Sequence, residues 1–245
     1  MLLPALTEGR LIHRRNRFVA EVDVSGRVVE AHCPNTGSMM GCREPGCRVW
    51  LSRASNPERK LAWTWELVEA DGTLVGLHTG RSNGLVREAI ESGVIAPLAG
   101  YGSIRNEVRY GENSRIDLLL EAADRPPCWV EVKNVTAAVE GGIGYFPDAV
   151  TARGAKHLRE MSRLVEAGQR AVLCFCVQRG DVMEVRPADH IDPAYGRALR
   201  AAMAVGVEVI AWSARVTPEE IVLWRQLPVQ VSGVRCQVSK GRAIA

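Results

Sequence analysis

The sequence predicts two structural classes in one chain: an all-β unit over residues 1–80 that closes as a small barrel, and an α/β unit over residues 81–231. Two observations carry this. Before "TGRSNG" (79–84), five short β-type runs follow one another with turn signals and no convincing helix between them. After it, runs of strand period alternate with runs of helical period, the pattern of an α/β sandwich.

In the first unit, "RFVAEVDV" (17–24) and "RVVEAHC" (27–33) flank a Ser-Gly turn and read as a hairpin. "CRVWLSRA" (47–54), "KLAWTWELVEA" (60–70) and "TLVGLHT" (73–79) follow, the last two joined by Asp-Gly, a strong tight-turn dipeptide. Five such strands suit an oligonucleotide-binding (OB) barrel, and they suit an SH3-like barrel equally well. In the second unit, "LVREAIESGVI" (85–95) has helical spacing, with Gly93 as its stop. Strands at 115–121 and 128–135 flank the turn "ADRPP". Residues 152–168 form an amphipathic helix with Ala155, Leu158, Met161 and Val165 as its apolar stripe and Thr151 as its cap. "RAVLCFCVQ" (170–178) is a doubly buried strand, 193–206 a helix and 207–214 a strand. "TPEEIVLW" (217–224) has a capping-box start and strand-forming residues after it, so both readings stay open. The tail, 232–245, has little periodicity and is expected to be disordered.

Composition narrows the function classes. Apolar residues make up 47% of the 245, so the chain is globular. The net charge of +3 neither requires nor excludes a nucleic-acid partner, so any positive field has to come from local clusters. No apolar run approaches the ~20 residues of a membrane span. Pro4 breaks the short apolar start and no basic segment precedes it, so no signal peptide is expected. Seven cysteines without framework spacing read as reduced core thiols of a cytoplasmic protein. His32, Cys33, Cys42 and Cys47 lack the close Cys-x-x-Cys spacing of a zinc site, and zinc is not expected there.

Three charged groups stand among residues that want burial. Asp117 interrupts one strand; Glu131 and Lys133, two apart and so on one face, interrupt the next. If the strands pair across "ADRPP", Asp117 comes beside Glu131, and two carboxylates that close repel unless a cation lies between them. An all-oxygen ligand set suits Mg²⁺ or Mn²⁺. Lys133 cannot ligate a metal, but it can orient water or stabilise charge on a phosphate oxygen. A simple ion pair between Lys133 and either carboxylate is the competing reading.

The Asp…Glu-x-Lys spacing resembles the PD-(D/E)xK nuclease superfamily. The wider chain resembles the sugar fermentation stimulation protein A family, through "RRNRFVAEV", "HCPNTGSM", "NPERKLAWTWELV", "GYGSIRNEVRYGENSRIDLLL", "VEVKNVT", "FPDAVTARGAKHLREM" and "LPVQV". The resemblance spans about residues 1 to 231. It implies an N-terminal OB-like barrel, a PD-(D/E)xK nuclease-like α/β domain, DNA binding without strong sequence preference, and a link to maltose metabolism genes. Asp117, Glu131 and Lys133 match the motif; Glu107 in "RNEVRYG" is the candidate for a further upstream glutamate, and Ile116 stands where the superfamily has its proline.

The implied nucleic-acid contacts are basic. Arg14, Arg15 and Arg17 lie in "HRRNR" and Arg59 and Lys60 in "NPERK", where solvated loops are the simpler alternative. Arg115 shares a strand face with Asp117 and suits a phosphate. Arg153 and His157 are i, i+4 partners at the start of the 152–168 helix, a natural phosphate position. Trp50, Trp63 and Trp65 offer stacking surfaces, with core burial favoured for at least one. Two functions remain: a metal-dependent nuclease, or a DNA-binding regulator that uses the nuclease fold only for grip.

Overall fold

The computed structural model describes residues 1–111 and 114–232, so the 232–245 tail lies almost wholly outside the described residues. Strands β1 (Leu6–Arg15), β2 (Val19–Val24), β3 (Arg27–His32), β4 (Arg48–Arg53), β5 (Trp63–Ala70) and β6 (Thr73–Gly76) form one sheet in the order β3-β2-β1-β4-β5-β6. Parallel pairing of Ala31 with Trp63 and His32 with Thr64 joins β3 to β5 and closes a five-stranded, OB-like barrel of β1–β5, with β6 as a hairpin extension. The sequence predicts five strands, but a different five. It passes over β1, whose charged residues leave Gly9 and Leu11 as its fully buried positions, and counts β6 instead. Trp65, Leu51, Val68, Cys33 and Cys42 fill the barrel. Burial there pushes the Cys42 thiol up to about 11, as befits a core thiol.

The second domain has a six-stranded sheet, ordered β15-β14-β12-β9-β8-β7. Its strands are β7 (Ser103–Tyr110), β8 (Ser114–Ala122), β9 (Arg125–Val135), β12 (Arg170–Val177), β14 (Glu208–Val216) and β15 (Ile221–Leu227). A small sheet joins β10 (Ala138–Val139), β11 (Ile143–Phe146) and β13 (Glu184–Pro187). Helix α1 (Ser82–Glu91) packs on one face with Leu118, Val130, Val132 and Cys174. Helices α2 (Ala152–Glu166) and α3 (Pro193–Ala204) cover the other with Val135, Leu173 and Phe175. The Thr151 hydroxyl accepts the Gly154 N–H at 3.0 Å, the cap the sequence predicts. At "TPEEIVLW", Thr217 Oγ1 instead accepts the N–H groups of Glu219 and Glu220 in a turn, and β15 follows.

The two domains are fastened. Buried Glu66 of β5 accepts Ser52 Oγ at 2.7 Å and both Arg81 Nε (2.8 Å) and Nη2 (2.9 Å), fixing the entry to α1. The barrel segment 35–39 docks on the second domain through Asp148, whose Oδ2 accepts Ser38 Oγ and the Met39 N–H, each at 3.3 Å. Among the described residues, no helix is long and apolar enough to cross a membrane.

Candidate active site

The site forms where β8 and β9 part. Their ladder runs from Ala122–Arg125 to Leu118–Val130 and ends there, while β9 continues alongside β12 to Val135. At the same point β8 changes face. Leu118 and Leu120 pack in the α1 layer, but Ile116 packs with Tyr110 and Leu164 on the α2 side. Residues two apart in a regular strand share a face, so the half-turn falls at Asp117. Glu107, across from Asp117 in the β7–β8 register, has φ 54°, a left-handed conformation uncommon for a non-glycine residue. The sequence places Asp117 on a face with Leu119 and Glu121; this reversal turns it toward β9 instead.

Asp117 therefore takes the place of a backbone partner. The Val132 N–H donates to Asp117 Oδ2 at 2.7 Å, and Asn83 Nδ2, from the first turn of α1, donates to Oδ1 at 2.9 Å. Glu131, adjacent to Val132, is 2% exposed on the α2 side. Its Oε1 meets Lys133 Nζ at 2.6 Å and His157 Nδ1 at 2.5 Å, while Oε2 is buried without a hydrogen-bond partner. Arg153 Nε donates to His157 Nε2 at 3.4 Å, which leaves Nδ1 as the proton-bearing nitrogen facing Glu131.

The two carboxylates titrate differently. Burial and then the Glu131 charge push Asp117 up to about 6; the Val132 and Asn83 hydrogen bonds only partly offset them. Burial also acts to raise Glu131, but His157 and Lys133 outweigh it and hold that carboxyl below its usual range. Two further buried groups border the site. The Glu160 carboxylate of α2 has no hydrogen-bond donor and is approached by Lys156 Nζ at 3.6 Å, and the Tyr110 hydroxyl has no partner. Burial, with the charges of Glu131, Glu160 and Asp117, raises that phenol well above its ordinary value.

The structure thus brings together Asp117, Glu131 and Lys133. It leaves Glu107 exposed, with no hydrogen bond or ion pair to the other three. Its position on β7 turns the side chain outward, and Asn83 makes the contact from α1 instead. His157 is not a surface side chain: at 5% exposure it is a buried partner of Glu131. Arg14 is likewise diverted, donating to the carbonyls of Arg17, Asn35 and Gly37. Arg15 pairs with Glu21 and Glu30, and Arg59 Nη1 donates to Thr64 Oγ1 at 2.9 Å. Arg17, Lys60, Arg115 and Arg153 are exposed. Arg115 stands directly across from Arg109 with no acidic partner among the described residues. Trp50 and Trp65 are core residues; Trp63 is half-buried, beneath the Arg53 guanidinium.

Sequence reasoning missed Asn83, because "TGRSNG" reads as a chain breaker. Asn134 braces the strand after Lys133: its Oδ1 accepts from Ser82 Oγ (3.0 Å) and Gln178 Nε2 (2.7 Å). No group of three or more His, Cys, Asp or Glu side chains converges as a ready metal cage among the described residues. Of the two motif carboxylates, Asp117 accepts a hydrogen bond on each oxygen, whereas Glu131 leaves Oε2 without a partner.

Comparison with known proteins supplies the rest. The family model "SfsA N-terminal OB domain" matches residues 12–77, and "Sugar fermentation stimulation protein RE domain" matches 80–220. The chain is 61% identical over 231 residues to the sugar fermentation stimulation protein homolog of Thioalkalivibrio sulfidiphilus, covering 94% of this chain and 97% of the relative. It is 60% identical over 231 residues to the homolog of Geobacter sulfurreducens, covering 94% and 98%. Among solved structures, Pyrococcus furiosus SfsA in complex with Ca²⁺ superposes with a TM-score of 0.86 at 27% identity, over 94% of this chain and 98% of that one.

Proposed function

Because the chain belongs to the sugar fermentation stimulation protein family, we propose that it is a DNA-binding protein whose second domain cleaves phosphodiester bonds with a divalent cation held by Asp117 and Glu131. The observation that carries this is Glu131 Oε2, a buried carboxylate oxygen with no donor, near a second carboxylate raised by its burial and then by the charge of the first. Buried polar atoms without partners call for an explanation, and a hard cation supplies one. The all-oxygen donor set fits Mg²⁺ or Mn²⁺. That the Pyrococcus furiosus relative was solved with Ca²⁺, another oxygen-seeking ion, agrees with this choice. The OB-like barrel supports a nucleic-acid partner.

When bound, such an ion polarises a phosphate and lowers the pKa of an attendant water. The chain's own residues do the positioning. Val132 N–H and Asn83 orient Asp117, and His157 and Lys133 both engage Glu131 Oε1, which leaves Oε2 without a hydrogen bond. Lys133 carries its ammonium to the same place and steadies charge developing on the phosphate. Free, mostly buried cysteines support a reducing compartment, the cytoplasm.

Nicking of supercoiled plasmid by purified protein with Mn²⁺ tests the reading. Cleavage by the wild type and its loss in Lys133→Ala is the expected result. Equal cleavage by both points to a contaminant and removes the proposal. DNA binding with no cleavage by the wild type leaves the family member as a gripping protein without chemistry.

A further inference from the structure

Resting on that reading, we propose that the crevice beside Lys133 receives one unpaired nucleotide, so that the protein engages single-stranded or frayed DNA in preference to intact duplex. The crevice, of about 540 Å³, opens between barrel residues Asn35–Gly37 and the segment of the second domain that runs from Lys133 past Tyr145 to Arg153. That volume falls in the range of sites that enclose a small ligand. A duplex, whose major groove alone is about 12 Å across, does not enter such a space.

The barrel wall of the crevice is held in place. Arg14 Nη2 donates to the carbonyls of Asn35 (2.7 Å) and Gly37 (3.1 Å), and Asn35 Oδ1 accepts the Gly37 N–H at 2.9 Å. Asn35 Nδ2 reaches Thr136 Oγ1 at 3.4 Å across the domain boundary. A Cβ on Gly37 would stand 2.3 Å from Asp148 Oδ2, so any larger residue at 37 has to displace that carboxylate from its contacts with Ser38 and Met39. These contacts make the crevice a defined opening between the domains rather than a gap that widens freely.

Its lining matches one nucleotide. Among the described residues, its cations are Lys133 and Arg153, both at the Glu131 end. The lining also includes the half-buried Tyr145, whose ring meets His190 edge-on, and Thr79, whose hydroxyl donates to the Pro34 carbonyl at 2.9 Å and keeps its acceptor capacity. A stacking surface with hydrogen-bonding groups receives a base, and a pair of cations receives one phosphate. A face built for duplex presents rows of cations to many phosphates.

The test is fluorescence anisotropy in metal-free buffer, with a labelled single strand of about 12 nucleotides and the same sequence as duplex. Thr36 and Val150 are exposed on opposite lips of the crevice, so Thr36→Trp and Val150→Trp obstruct it without disturbing the core. The expected result is preference of the wild type for the single strand by about tenfold or more, the scale of one stacked base, and selective loss of that preference in both variants. Equal or tighter binding of duplex overturns the inference, as does unchanged single-strand affinity in both variants. In either of those cases the proposed nuclease site stands. Binding of neither DNA by folded wild type overturns both.

Discussion

His157 Nδ1 lies 2.5 Å from Glu131 Oε1, the oxygen that Lys133 Nζ also approaches to 2.6 Å. Two donors on one oxygen leave the other free, and the free one is buried. His157→Ala is expected to let the carboxylate rotate and to weaken Mn²⁺ binding about tenfold, the usual scale for a group that orients a metal ligand. His157→Asn, whose amide N–H can stand near the position of Nδ1, should recover most of that loss. Calorimetric titration of the two variants, with melting curves to verify folding, separates orientation from general damage. Unaltered Mn²⁺ affinity in the alanine variant contradicts the role.

Asp117 is held above its ordinary value, at about 6. The folded protein therefore binds this proton more tightly than the unfolded chain. Its ionisation costs stability from about pH 4 upward and reaches the full cost above about pH 6. Asp117→Asn removes the charge but replaces one acceptor oxygen with a donor at the Val132 N–H or Asn83 contact. After that loss and solvent screening, a net gain of about 1 kcal/mol at pH 7.5 is expected, turning into a net loss near pH 4, where the wild-type carboxyl is protonated and only the missing hydrogen bond counts. Denaturant melts at the two pH values measure it; a destabilised variant at pH 7.5 would be the contrary result.

The same shift sets the pH dependence of metal binding. A cation competes with the Asp117 proton, so Mn²⁺ affinity should fall as pH drops through about 6, with proton release on binding near that pH. Titrations in two buffers of different ionisation enthalpy report the released proton. A pH-independent affinity between 5 and 8 would mean that Asp117 takes no part.

Arg14 donates to three main-chain carbonyls, whereas Arg17 and Lys60 are exposed. Removing Arg14 should lower stability and leave the salt slope of DNA binding unchanged. Arg17→Ala or Lys60→Ala should reduce that slope by about 1 if the residue meets a phosphate. Affinity measured over a series of salt concentrations distinguishes them, and a reduced slope in Arg14→Ala would count against the structural role.

Gly37 touches Asp148 so closely that Gly37→Ala should cost about 1–3 kcal/mol. Shortening the opposing side chain in Asp148→Ala should return part of it, a coupling that a double-mutant cycle reads directly. Additive effects would show that the two walls do not meet in solution.

Much of this was legible in the residues. The alternation in β2, the buried runs of β4 and β5 and the apolar run of β12 declare themselves, because their buried positions are mostly apolar side chains. Glu131 and Lys133 stand out for the opposite reason, as charges inside such a pattern. The short strands β10, β11 and β13 escaped notice, as did β1 and β7, which carry many exposed polar residues and are placed by pairing, β1 with β2 and β4 and β7 with β8. The reversal at Asp117 and the reach of Asn83 belong to tertiary structure: nothing within a few residues of either position encodes them. His157 looked like a surface cation because its helix is basic, and only the packing of α2 against β9 turns it inward.

The most direct test of the central claim is calorimetric titration of Mn²⁺ into metal-free wild type, Asp117→Asn and Glu131→Gln, each verified as folded. A wild-type binding isotherm that is lost in both variants is the predicted result. Folded wild type that takes up no Mn²⁺, or variants that bind it as tightly as wild type does, would contradict a cation site between the two carboxylates.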